Sequence, residues 1–337
     1  MDKGRLFRII CGVMIALIAG ILVVMFVSDD AVTAEYSTDL SKDYADTSSW
    51  MEHLSDDIYV SQITLPGTHG SGARNVVLGY SKRCQNTSIS EQLEDGYRFL
   101  DLRVAIEETE DGDKLRLVND SVDCHASGGI FSNYLYFDDT VEDIYKFLQQ
   151  HPTETIILSV NIEDSDYPIK DIQKLLLTQI KSNKDYWYTD NQIPTLGDVR
   201  GRIILATRFN DEAASEITGL NLIWNQQDNR VAVDIPYELY VNSDYRFWVQ
   251  DRYNYSVEDK YEAVVDGLEN CEADENTLFI NFVSTSGDGK IGHPYGYAQV
   301  LNGFLMEYEL KSETSYGIVV VDFGTADLAR HIYYSNF

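Results

Sequence analysis

The sequence predicts an α/β fold: a distorted TIM-type (β/α)8 barrel, preceded by an N-terminal transmembrane or signal segment. Two observations predict the barrel and a third predicts the segment before it. From about Trp50 onward, apolar strand-like runs alternate with helix-period stretches. Repeated alternation of that kind favours a parallel sheet with helical crossovers. Roughly eight such strands fit the ~250 residues of a closed barrel, made irregular by some short crossovers. Ahead of them, Lys3, Arg5 and Arg8 precede an apolar run over residues 9–27, just long enough to span a bilayer.

That run is long for a cleaved signal, and Val32-Thr33-Ala34 before Glu35 makes a mediocre cleavage site. Residues 1–34 therefore read as a cytoplasmic stub plus an anchor, with a cleaved signal peptide as the alternative. Basic residues ahead of the run place the N-terminus inside and the rest outside, so the expected location is extracytoplasmic, either anchored or secreted. Residues 35–50 are polar and acidic and read as a tether. Residues 51–337 read as the barrel, with no internal repeat and no second domain.

Within the barrel, residues 63–65 form a short apolar strand that enters a Pro-Gly turn and delivers His69. A helix is expected over 89–95. Residues 99–104 are a strand holding an acid and a base, and 115–118 follow as another strand. A helix over 140–150 opens on Thr140-Val141-Glu142-Asp143, which resembles a capping box, and His151-Pro152 stops it. Strands then read at 155–161, 202–207, 220–224, 247–249, 278–283 and 317–323, and further helices at 169–182, 257–270 and 297–311.

The net charge of −29 argues against nucleic acid as a partner, because phosphate backbones need a cationic footprint. It also argues against strong attraction to anionic lipid, and suits solubility in an extracellular or salty setting. The 23 tyrosines exceed what a core needs, which points to a polar-aromatic surface or pocket. Cys84, Cys124 and Cys271 lie beyond the apolar run that contains Cys11. An odd count gives no complete disulfide framework. A Cys84–Cys124 bridge and two separate buried thiols are both open, and no Cys/His spacing suggests zinc.

Of six histidines, His53, His151, His293 and His331 read as structural. His69 and His125 differ, because each lies at or near a strand end in a Gly- or Ser-bearing loop, and in a parallel barrel such loops form the active face. Histidine suits proton transfer near neutrality. Two histidines with Arg103 at strand ends are the parts needed to break a phosphodiester by acid–base chemistry.

Pro66-Gly67-Thr68-His69, Phe99-Leu100-Asp101-Leu102-Arg103 and His151-Pro152-Thr153-Glu154-Thr155-Ile156-Ile157-Leu158-Ser159 resemble the catalytic X domain of phosphatidylinositol-specific phospholipase C. Gly201-Arg202-Ile203-Ile204-Leu205, Trp248-Val249-Gln250-Asp251-Arg252-Tyr253, Phe279-Ile280-Asn281-Phe282-Val283-Ser284 and Gly317-Ile318-Val319-Val320-Val321-Asp322-Phe323 are similar to later blocks of its bacterial branch. The blocks run in order over nearly all of the chain beyond the tether. The resemblance implies a distorted TIM barrel in which the inositol 2-hydroxyl attacks phosphorus, diacylglycerol leaves and a cyclic inositol phosphate forms. It makes His69 the base, His125 the acid and Asp322 the group that orients His69. Arg103 would bind the non-bridging oxygens, with Asp101 in support. Arg208, Asp251, Tyr253 and Asn161 would line the inositol pocket.

The resemblance also bears on metal and partners. Calcium-dependent relatives place oxygen ligands where this chain has Arg103, Gly70 and Asn161, and one remaining carboxylate will not hold an ion that takes about 6 to 8 oxygens. No metal or other cofactor is expected. The expected partner is phosphatidylinositol or a glycosyl-phosphatidylinositol lipid at a membrane surface, met by a monomer. Apolar-aromatic clusters at 76–80 and 134–137 suit insertion into lipid or burial under a loop. Two departures stand out: Gly70 replaces an aspartate common in bacterial relatives, and Asn161 replaces a lysine expected in the inositol pocket. They leave two alternatives in view, a catalytically weak lipid- or glycan-binding module on the same barrel and a phosphodiesterase for a different headgroup.

Overall fold

The structure, a computed structural model, describes residues 13–14 and 46–337, apart from 78, 130–131, 164–165, 211–218, 228–235 and 289–291. The expected anchor and most of the tether lie outside the described residues. Among the described residues no helix is long and apolar enough to cross a membrane.

In chain order the strands are β1 (Leu65–Thr68), β2 (Asn75–Val76), β3 (Phe99–Thr109), β4 (Gly112–Asn119), β5 (Val122–His125), β6 (Ile156–Ile162), β7 (Trp187–Tyr188), β8 (Ile203–Thr207), β9 (Leu220–Asn221), β10 (Glu238–Val241), β11 (Arg246–Gln250), β12 (Thr277–Phe282) and β13 (Ile318–Val321). The helices are α1 (Gly79–Lys82), α2 (Ile89–Glu94), α3 (Phe137–Gln150), α4 (Ile169–Ser182), α5 (Leu196–Val199), α6 (Val257–Glu269), α7 (Pro294–Glu307) and α8 (Ala326–Tyr333).

An unbroken parallel ladder runs β11-β12-β13-β1-β3-β6-β8-β9. These segments form strands because they are near-continuous apolar runs, the pattern of strands covered on both faces. One parity of strand residues (Leu65, Phe99, Ile157, Ile204, Ile280, Ile318, Val320) gathers into a shared interior. The other parity (Leu100, Leu102, Leu158, Val160, Leu205) packs under α3 and α4. Among the described residues no ladder joins β9 to β11. The seam is bridged by the Gln227 side chain, which donates to Val249 O at 3.2 Å and accepts from Asp251 N at 2.8 Å. Among the described residues the barrel is therefore irregular between β9 and β11.

Five strands outside that ladder, β2, β4, β5, β7 and β10, modify the barrel. β3 overshoots the barrel and turns back into β4, then β5, whose outer edge takes β2. β7 and β9 share one edge of β8, and β10 pairs antiparallel with β11.

Three local expectations need correction. The helix expected from Thr140 begins at Phe137, and Thr140 Oγ1 donates to Tyr136 O at 2.9 Å inside its first turn, so the Thr140–Asp143 capping box does not exist. The buried stripe Phe137, Val141, Ile144, Tyr145, Leu148 is what fixes α3. A true capping box opens α2, where Ser88 Oγ accepts from Glu91 N and the Glu91 carboxylate accepts from Ser88 N. The helix expected over 297–311 spans Pro294–Glu307, with proline in its first turn.

The domain also starts before residue 51. Thr47–His53 forms a 3-10 helix capped by Asp46, and Trp50 is buried, stacked on Tyr333 with ring centroids 4.8 Å apart. Cys84, Cys124 and Cys271 are free thiols, so of the two arrangements left open for Cys84 and Cys124 the unbridged one is present.

The motif around Glu154 serves the N-terminal ends of the strands. Arg98, just before β3, and Glu154, just before β6, are both fully buried and paired at 2.9 Å. Arg98 also donates to the carbonyls of Leu93, Tyr97 and Ser48, and Glu154 accepts from Met51 N. The pair ties the 3-10 segment, α2, β3 and β6 together below the barrel.

Candidate active site

At the opposite end of the barrel, the C-terminal ends of β1, β3, β6, β8, β11 and β13 surround a cavity of about 690 Å³. His69, Arg103, Asn161, Arg208, Asp251, Tyr253 and Asp322 line it, so seven of the nine predicted site residues meet there. Asp101 lies just beneath, fully buried.

His69 reaches this position through two glycines. A Cβ on Gly67 would come within 2.9 Å of the Phe99 side chain, so only glycine lets β1 lie against β3 there. Gly70 has φ +49° and turns the chain after His69. A Cβ at Gly70 would approach Asn119 Oδ1 to 2.9 Å and Cys84 Sγ to 3.1 Å. A side chain at position 70 would therefore need Asn119 or Cys84 to move.

The His69 ring is held at both nitrogens. Nδ1 lies 2.8 Å from Asp322 Oδ1, and Nε2 lies 3.0 Å from Arg103 Nη2. A guanidinium can only donate, so this arrangement suits an unprotonated Nε2 with the Nδ1 proton given to Asp322. Phe282 meets the ring edge-on at 6.1 Å. Burial opposes the imidazolium most strongly, but the Asp322 carboxylate and Cys84 together outweigh it and raise the proton affinity of His69 well above the ordinary imidazole value. His69 must be unprotonated to accept a proton, and a raised pKa keeps it protonated to higher pH. The acidic limb of kcat/KM is therefore expected above the ordinary imidazole value of about 6.5. Asp322→Asn is expected to move that limb to lower pH while lowering the rate. A pH–rate profile of both proteins checks this, and an unmoved limb would assign it to another group.

Arg103 is held by carboxylates. Glu163 Oε1 accepts from its Nη1 at 3.0 Å, and Asp101 Oδ2 lies 3.7 Å from Nη2. Asp101 also accepts from Gly70 N at 3.3 Å and lies 3.8 Å from Arg208 Nη1. Burial alone would push the Asp101 pKa up, but Arg103 and Arg208 bring it below the usual carboxylate value. Arg208 lies over the Trp224 ring, 3.5 Å from its centroid. Trp224 Nε1 donates to Asp251 Oδ2 at 3.0 Å. The site therefore has two guanidinium groups side by side above a buried carboxylate, with an aromatic floor leading to Asp251 and Tyr253.

Cys84 Sγ, His69 and Asp322 offer three donor atoms within 4.8 Å of one another. They do not fit a metal as arranged, because Nδ1 is engaged by Asp322 and Nε2 faces a guanidinium.

His125 is not brought to the cavity. Its Nδ1 lies 3.1 Å from Ser132 O, and its ring packs against Tyr134 at 5.4 Å. It shares a face of β5 with Asp123, by the two-residue repeat of a strand. Asp123 is paired with Arg116 at 2.7 Å, so it is committed elsewhere and cannot replace the missing aspartate. Cys124, on the other face, packs in the core cluster that holds Cys84.

The clusters read as possible lipid contacts are largely packed. Phe137 and Val76 are buried and Tyr134 and Tyr136 lie under Arg116 and Lys114, while Tyr80 stacks on His293 at 4.2 Å and stays exposed. The sequence reading missed Trp224, Glu163 and the Lys82–Asp120 ion pair at the rim. Glu163 was findable, being two residues beyond Asn161 at a strand end and so on the same face. Trp224 carries no motif.

The family model described as phosphatidylinositol-specific phospholipase C, X domain, matches residues 73–209. A 1-phosphatidylinositol phosphodiesterase of Listeria monocytogenes is 27% identical over 315 residues, covering 88% of this chain and 87% of that protein. One from Staphylococcus aureus is 25% identical over 324 residues, covering 90% and 98%. The solved phosphatidylinositol-specific phospholipase C of L. monocytogenes superposes with a TM-score of 0.62 at 25% identity, covering 87% of this chain and 99% of that one. A solved S. aureus phosphatidylinositol-specific phospholipase C variant gives 0.69 at 21% identity over 87% and 98%, a likeness of fold. An ordered set of motifs, a matching barrel and these relatives together make the chain similar to the X-domain family of phosphatidylinositol-specific phospholipases C.

Proposed function

We propose that the protein cleaves phosphatidylinositol by phospholipase C chemistry without a metal ion, acting outside the cell as a monomer. The observation that carries this is the single contact chain Asp322–His69–Arg103 at the mouth of the strand-end cavity. The inositol 2-hydroxyl gives its proton to His69 Nε2 and its oxygen bonds to phosphorus. Asp322 stabilises the imidazolium that forms. Arg103 turns from Glu163 and His69 to the non-bridging phosphate oxygens, supplying the charge stabilisation that a cation would otherwise give. Arg208 adds a second positive charge, and Asp101 fixes both. The bond from phosphorus to the diacylglycerol oxygen breaks, that oxygen takes a proton, and cyclic inositol phosphate remains. Trp224 offers a ring face to inositol, and Asp251 and Tyr253 offer polar groups to its hydroxyls. Glycosyl-phosphatidylinositol anchors share the reacting atoms and are a second substrate class for the same site.

The resemblance gives the leaving-group proton to His125. That role requires β5 to turn His125 inward. β5 has four residues and pairs with β2 at only two, and a one-residue slip would exchange its faces. His125→Ala is expected to lower kcat on phosphatidylinositol by ~10²-fold or more. It should cost far less on an inositol phosphodiester with an acidic phenol leaving group, which departs without a proton. Equal losses on both substrates would remove His125 from this role.

The direct test is the full chain on phosphatidylinositol vesicles with excess chelator. Diacylglycerol and cyclic inositol phosphate together would support the proposal. Activity that appears only on adding calcium would overturn the metal-free mechanism, and no turnover under either condition would favour an altered headgroup or a binding role.

A further inference from the structure

One buried cation is not used by the chemistry above. Lys260, on α6, has no exposed surface. Its Nζ donates to Gln250 Oε1 at 2.8 Å and to Arg252 O at 3.3 Å. These residues flank Asp251. Gln250 Oε1 also accepts from Arg252 N at 2.9 Å, while Gln250 Nε2 donates to Asn281 Oδ1 and Phe282 O. Asp251 N is tied to Gln227, and Asp251 Oδ2 accepts from Trp224 Nε1. Lys260 therefore grips from below a turn whose upper side presents Asp251 and Tyr253 to the cavity.

We propose that Lys260 is a positioning residue whose amine fixes the 250–252 turn and thereby sets the affinity of Asp251 for the substrate's sugar hydroxyls. The inference rests on the reading of Asp251 as a headgroup ligand. Hydrogen bonds from a charged donor are stronger than those from a neutral one, so the turn is held best when Lys260 is an ammonium. The charged groups around it are Asp251 and Asp322, which favour the ammonium, and Arg252, which opposes it. Burial opposes it most, and the balance lowers the pKa of Lys260 to about 7. The gripping form is the protonated one, so headgroup affinity falls as pH rises through that value.

The experiment uses myo-inositol as a competitive inhibitor of the full chain, because it reads headgroup binding without the phosphate or His69. In the wild type the inhibition constant is expected to rise between about pH 6 and about pH 8.5, bracketing the value of about 7 at Lys260. Lys260→Met is expected to raise it roughly tenfold at low pH, the scale of a lost charged hydrogen bond, and to flatten its pH dependence. Its kcat should stay within about twofold, since hydrogen bonds to the reacting atoms are untouched. Asp251→Asn should also raise the constant, and the two effects should not add. If Asp251→Asn changes it while Lys260→Met does not, the positioning role alone is overturned. If Asp251→Asn leaves it unchanged, or myo-inositol does not compete, the headgroup reading falls and this inference with it. Should Lys260→Met fail to fold, the wild-type profile still decides: an inhibition constant flat across pH overturns the proposal.

Discussion

Replacing His69 with alanine is expected to lower kcat/KM on phosphatidylinositol by ~10²–10⁴-fold, the range that a positioned acid or base supplies, with the fold intact. The ring is about a fifth exposed at the cavity wall, and its contacts there are polar ones to Asp322 and Arg103 plus an edge contact to Phe282. Its removal leaves Asp322 without the imidazole but still accessible to cavity water, so the stability cost stays well below the catalytic one. Circular dichroism and a melting curve beside the activity assay separate the two. A variant that melts like the wild type and keeps more than about a tenth of its rate, far short of the loss expected for a general base, would place the base elsewhere. Loss of activity together with loss of the melting transition would point to a structural histidine.

Glu154→Ala should show the reverse. Glu154 lies in one of the motifs that carry the family resemblance, but its carboxylate lies at the far end of the barrel, buried against Arg98. Burial raises its pKa and Arg98 opposes that rise. Removing one partner of such a pair strands the other charge in the interior, which costs about 3–5 kcal/mol. For a domain of this size that amounts to a fall in melting temperature of roughly 5–15 °C. The surviving folded fraction should keep a normal kcat. Thermal melts and active-site-normalised rates check both halves. A melting temperature unchanged to within a degree would show that the buried pair contributes nothing net.

The barrel strands were legible because they are continuous apolar runs, a signal that does not depend on tertiary context. The short strands were not. β2, β7 and β9 have two residues each and exist only because a longer neighbour offers an edge. Thr140 was misread because Thr-x-x-acid occurs inside helices as well as before them. The buried stripe that starts at Phe137 was the better guide, and Ser88–Glu91 was the capping box to find. In the site, His69 and Arg103 could be read as strand-end residues, whereas Arg208, Asp251 and Asp322 came only through the family resemblance; all five line one cavity because strand ends converge in a parallel barrel. The placement of His125 could not. Which way a side chain points from a four-residue strand depends on its register against β2 and β4, and no local pattern fixes that register. Trp224 was invisible for a related reason, since the seam between β9 and β11 that brings it under Arg208 is irregular.

His69 and Asp322 are 253 residues apart, and β1 has β13 as a neighbour throughout its length. During synthesis, then, the histidine emerges early and waits for almost the whole remaining polypeptide before its aspartate exists. Until that strand docks, a nascent or truncated chain carries the guanidiniums and the aromatic floor but a His69 with no carboxylate at Nδ1. On the proposed mechanism, catalytic competence therefore arrives only with the strand that carries Asp322.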